Sequence, residues 1–191
     1  PDGIPEFGTD ALRYTFASLA TTGRDIRFDL GRIEGYRNFC NKLWNASRFV
    51  LSVTEALEDG DVATQTPGLA DRWIRSRLAH CAAEVERQFA RYRFDLAAQA
   101  LSEFTWYEFC DWYVELSKAT LYADDAAAGD KAAAMTTLVE VLESLLRLLH
   151  PIMPFISEEI WLRIAPRAKV SGESICDMRW PETGTRDDAA D

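Results

Sequence analysis

A chain of 191 residues, 48 % apolar and 27 % charged, has room for one ordinary globular domain plus a small extension. No apolar run approaches the roughly 20 residues a bilayer span needs, and no basic stretch leads into an apolar core as in a secretory signal. The formal net charge of −10 excludes a uniformly basic nucleic-acid binder, yet residues 24–48 carry a local +3 on that acidic body.

The first seven residues, PDGIPEF, read as a linker, and the chain as a piece of something longer. Four cysteines, Cys40, Cys81, Cys110 and Cys176, are scattered without a close pair. Neither a zinc site nor a disulfide framework is expected from that spacing, so they read as free thiols in a reducing cytoplasm.

The pattern is helical almost throughout. Residues 8–20 predict a short helix capped by Thr9 or Asp10, with Leu12, Phe16 and Leu19 as its inner stripe. Gly23 suits a helix-ending turn. From Asp29, an expected N-cap, a long helix runs to Leu57, and Phe39, Leu43, Ala46, Val50, Val53 and Leu57 make its core seam. Residues 58–68 form a linker by composition. A third helix, 69–92, offers Trp73, Leu78, Val85 and Phe89 for burial. A fourth, 95–122, offers Leu101, Phe104, Phe109, Trp112 and Leu116.

The fifth helix, 131–149, is apolar along Leu138, Val141, Leu142, Leu145, Leu148 and Leu149. His150-Pro151 ends it, because proline disfavours helical geometry in the residue before it. Pro154 opens a sixth, short helix, with Ser157 as an expected cap. The segment ESICDMRWP, 173–181, reads as a short extended piece. These elements predict an all-α fold, a bundle of about five main helices plus a short C-terminal one. The expected organisation is a linker, 1–7, a helical domain, 8–164, and a tail, 165–191.

Catalytic machinery is not legible. There is no glycine-rich phosphate loop and no dinucleotide fingerprint. His80 and His150 have no sequence neighbour that suggests a metal pair or a nucleophile–base arrangement, and Glu158-Glu159 diverge on a helix.

The stretch RNFCNKLWNASRFV, 37–50, is unusual in spending three asparagines on a helix, where asparagine is a mediocre former. Asn38, Lys42, Asn45 and Phe49 recur at helical spacing on one face, about a quarter turn from the seam. Asn41, Arg48, Arg37 and Arg32 extend the polar, basic surface. Amides that bond base edges, a ring that stacks and a lysine that meets phosphate would suit unpaired bases. The plainer reading is that Phe49 is peripheral core and the amides are solvated or dock another helix. Spacing by itself weighs towards the plainer reading, and a helical protein-interaction bundle stays open as the alternative.

Longer motifs add to this. GTDALRYTFASLATTGRDIRFDLGRIEGYRNFCNKLWNASRFV, then EFCDWYVELSK (108–118) and LLRLLHPIMPFISEEIW (145–161), resemble in the same order the anticodon-binding domain of bacterial valyl-tRNA synthetases. These are class I aminoacyl-tRNA synthetases. The likeness covers residues 8 to about 164. It implies an enzyme family that attaches valine to its cognate tRNA using ATP, with both ATP signatures upstream of the bundle. This segment would then hold no catalytic site, cofactor or metal and would receive the anticodon loop of valine tRNA beside the rest of the synthetase chain. A monomeric, cytoplasmic fragment with no membrane partner is expected. By motif match Lys42, Asn45 and Phe49 fall on base-contacting positions, and Val114 and Glu115 on a second contact segment. A relative's contact arginine falls on Gly31 here, so the adjacent Arg32 takes that role only weakly.

Overall fold

A computed structural model describes residues 6–21, 28–55, 66–182 and 184–191. The expected features at Gly23, Arg24, Arg27 and Leu57, and most of the linkers, lie outside these residues. Among them the chain is helical, with no strand, as the sequence pattern predicts. The order is α1 (Thr9–Leu19), α2 (Leu30–Val53), α3 (Leu69–Ala90), α4 (Phe94–Glu103), a π-helical stretch (Phe104–Tyr113), α5 (Val114–Leu121), α6 (Ala128–Leu149) and α7 (Pro154–Ile164). A single 3₁₀ turn, Ile175–Asp177, follows in the tail. No described helix is long and apolar enough to cross a membrane.

The strongest sequence signals fold as read. Asp29 caps α2, its side chain accepting from the Gly31 amide at 2.9 Å. Phe39, Leu43, Ala46 and Val50 are buried, with Val53 half-buried at the helix end. All six apolar positions named on α6 are buried. Its end at His150, before Pro151, follows from the proline.

Three local expectations are corrected. Gly8 occupies the α1 N-cap at φ +94°, a conformation glycine reaches without strain, and no side chain caps that end. Asp10 is instead buried and reaches across the bundle, where its carboxylate accepts from the Phe155 and Ile156 amides at 3.3 and 2.6 Å. Pro154 at the first position of α7 has no N–H, so these are the first amides there that need an acceptor. The buried face of α1 is accordingly Asp10, Ala11, Tyr14 and Thr15, while Phe16 is exposed and packs against Phe28 with ring centroids 5.8 Å apart.

Ser157 is not a cap either. It lies inside α7, fully buried, and its hydroxyl donates to the Met153 carbonyl at 2.6 Å.

The third correction concerns the fourth helix. Ten residues, Phe104–Tyr113, take the wider π geometry, whose bonds run one residue further than in an α-helix. That slips the helical phase. Leu101, Phe104 and Phe109 are buried as expected, but Trp112 is 62 % exposed and Leu116 is exposed as well. Tyr113, Val114 and Ser117 take the inward positions.

The motifs at the two ends of the bundle turn out to be one device. Arg13 donates to the carbonyls of Ile152 and Pro151 at 2.9 and 3.1 Å, just where Asp10 caps α7. The Tyr14 hydroxyl donates to the Ala98 carbonyl at 2.7 Å, while its ring lies 4.6 Å from Tyr36 and 5.2 Å from Phe39. Through Tyr14, α1 fixes how α2 rotates against the core, and so which face of α2 meets solvent.

The tail runs back over α3 and the end of α2. Ile175 is buried, the Asp187 amide donates to Ser76 Oγ at 2.9 Å, Arg72 pairs with Asp187 at 2.7 Å, and Arg167 donates to Thr54 Oγ1 at 2.8 Å.

Candidate nucleic-acid interface

Of the four ridge positions on α2, Asn38 and Asn45 meet solvent beside the core seam. Asn38, Asn41 and Asn45 are exposed, and none of their side chains has a hydrogen-bond partner among the described residues. Arg32, Arg37 and Arg48 are exposed too, again without an ion-pair partner among the described residues. Amides and guanidinium groups left to solvent on a rigid helix are what a base- and phosphate-binding surface requires.

Lys42 and Phe49, by contrast, are half-buried and face the π stretch and α5. Lys42 Nζ lies 2.5 Å from Asp111 Oδ1 and 3.9 Å from the centroid of the Trp106 ring. The Trp106 ring in turn stacks at 6.5 Å on Phe39 of the core seam. Lys118 Nζ sits 5.2 Å from the Phe49 ring centroid and 2.6 Å from Glu115 Oε1. A lysine and a ring on α2 are thus matched by two carboxylates and a second lysine on the facing π stretch and α5. Attraction between ammonium groups and ring faces holds the pairs in register.

The second contact segment divides. Glu115 is exposed and pairs with Lys118, but Val114 is 5 % exposed and belongs to the core. The π stretch that precedes it turns its side chain inward, away from any surface contact. Arg37 and Asn41 line a different hollow, shared with residues 7–11 and with Phe155 and Glu159 of α7. Asp111, Trp106 and Lys118 are the participants that spacing missed. Asp111 and Lys118 lie within EFCDWYVELSK, but periodicity in one helix does not say which residue of another helix it meets.

Residues 71–190 match the family model for the anticodon-binding domain of tRNA ligase, and the chain belongs to that family. It is 53 % identical over 182 residues to the valine--tRNA ligase of Coxiella burnetii (strain RSA 493 / Nine Mile phase I), covering 95 % of this chain and 20 % of that protein. It is 52 % identical over 204 aligned positions to the valine--tRNA ligase of Xylella fastidiosa (strain M12), covering all of this chain and 20 % of that one. The likeness to the valyl-tRNA synthetases read from the motifs is therefore borne out, and the chain spans about one fifth of the length of these relatives. The fold also matches LeuRS from Agrobacterium radiobacter K84 agnB2, in the crystal structure of its ternary complex with tRNA and LeuAMS. There the TM-score is 0.67 at 19 % identity, over 98 % of this chain and 20 % of that one.

Proposed function

We propose that this chain is the anticodon-reading part of a valine--tRNA ligase, a cytoplasmic enzyme that attaches valine to its tRNA using ATP bound elsewhere in the parent protein. The observation that carries the reading is the set of exposed amides, Asn38, Asn41 and Asn45, without partners among the described residues, between Lys42 and Phe49 on one side and the exposed Arg48 on the other. In this reading Asn45 and Asn38 bond base edges, Phe49 stacks on a base, and Lys42 and Glu115 discriminate by charge. Arg32, Arg37 and Arg48 meet phosphate and add salt-sensitive affinity without reading sequence. A wrong base leaves polar groups unpaired in the closed interface, which is how hydrogen bonds reject it. Binding by this segment alone, as a monomer, is weak, because the rest of the parent's contacts to tRNA are missing.

The test is a fluorescence titration of the chain with anticodon stem-loops of valine and isoleucine tRNA, at low and at moderate salt. The valine loop binds more tightly at both salts. Lys42→Ala and Asn45→Ala each reduce that preference about tenfold, or ~1.4 kcal/mol. Equal affinity for both loops at every salt sinks the reading, and an unchanged preference in both variants sinks the residue assignment.

The Lys42–Asp111 pair makes a second expectation. Asp111 occupies the ammonium group that an anticodon base would take, so the two compete. Asp111→Asn should tighten binding of the valine stem-loop about two- to fivefold, the range of a partly exposed ion pair, and the isoleucine stem-loop less. A weaker complex would show that Asp111 positions Lys42 rather than competing for it.

A further inference from the structure

The fold brings together three side chains that sequence spacing leaves far apart. His150 ends α6, Glu158 lies in α7, and Cys176 sits in the 3₁₀ turn of the tail, 26 residues beyond the histidine. One ligand atom from each, an imidazole nitrogen, a carboxylate oxygen and a thiol sulfur, lies within 4.8 Å of the other two. We propose that His150, Glu158 and Cys176 form a binding site for a divalent cation of the zinc class.

Two of the three ligands are already oriented by a neighbour. Ser157 Oγ spends its proton on the Met153 carbonyl at 2.6 Å, so it can only accept from His150 Nδ1, 2.7 Å away. The proton is therefore on Nδ1, and Nε2 carries a free lone pair aimed at Cys176 Sγ at 3.1 Å. A histidine ligand whose other nitrogen donates to a fixed acceptor is the usual second layer of a metal site. Glu158 is held by Ser174 Oγ at 3.0 Å and by the Ile175 amide at 3.3 Å. A carboxylate accepts about four hydrogen bonds, so coordination capacity remains.

The donor set selects the cation. One nitrogen, one sulfur and one oxygen suit zinc or cobalt, whereas magnesium and calcium want oxygen alone. Three protein ligands leave a fourth position to water. Binding replaces the proton between Cys176 and His150: metal–sulfur and metal–nitrogen bonds form, and the thiol proton leaves to solvent. Nitrogen and sulfur then move apart to about 3.5 Å, the separation of two ligands on a tetrahedral ion. Because the ligands come from α6, α7 and the tail, the cation ties the tail to the helix pair.

The test uses the 191-residue chain without RNA, so its outcome is independent of anticodon reading. Titration with Co²⁺ should give a sulfur-to-metal charge-transfer band that saturates at one equivalent and is displaced by Zn²⁺. Cys176→Ser, at an exposed position that leaves the fold intact, should abolish the band, and Glu158→Gln should weaken binding about tenfold. Alkylation supplies the second readout. Burial pushes the Cys40, Cys81 and Cys110 thiols up to about 12, so iodoacetamide in the native state should modify Cys176, and Zn²⁺ should protect it. Absence of the band, its survival in Cys176→Ser, or alkylation of Cys176 unaffected by Zn²⁺ overturns the site.

Discussion

Glu143→Ala is expected to destabilise the chain by about 3–5 kcal/mol, the penalty for removing one partner of a buried charge pair. Glu143 is 2 % exposed in the middle of α6. Its carboxylate accepts from Trp161 Nε1 at 2.9 Å and from Arg147 at 2.7 and 3.1 Å. Alanine strands the indole N–H of a fully buried tryptophan and leaves the Arg147 guanidinium without its counter-charge. Set against a total stability of roughly 5–15 kcal/mol, that loss is large. Urea unfolding measures it: the midpoint should fall sharply with the slope unchanged. Glu143→Gln keeps an acceptor for Trp161 and should lose less. A loss under about 1 kcal/mol for alanine would mean the triad is not a fixed unit.

The second large effect is expected at Asp10. Asp10→Ala removes the acceptor for two α7 amides and the negative charge beside a helix N-terminus, together about 2–3 kcal/mol. For a domain of this size that lowers the melting temperature by roughly 4–12 °C. Thermal unfolding followed by circular dichroism reads it directly. Asp10→Asn retains one acceptor and should fall between. If alanine melts with the native chain, the cross-bundle cap contributes nothing and the coupling of α1 to α7 rests on Arg13 alone.

Both predictions concern motifs that were visible as sequence but not as structure. GTDALR and LLRLLHPIMPFISEEIW carried the resemblance, yet neither spacing nor propensity says that Asp10 serves a helix about 145 residues away. The α2 seam and the α6 stripe were legible because burial on one side imposes a period, and the period survives in the residues. The α1 face was misread by one position because Asp10 and Thr15, both polar, are buried. Trp112 was misread because the π stretch breaks the period from which its burial was inferred. In the candidate interface the exposed asparagines were legible for the opposite reason: their cost on a helix is unexplained by packing. Lys42 was legible as a ridge residue, while Trp106 and Asp111, which hold it, were not.

That hold has an entropic consequence. A free lysine side chain has about 2 kcal/mol of rotamer freedom to lose when a ligand fixes it. Lys42 has already lost much of it on folding, pinned between the Trp106 ring and the Asp111 carboxylate. A ligand that displaces Asp111 meets an amine still held against the Trp106 ring, and that part of the ordering term is charged to folding instead of to binding.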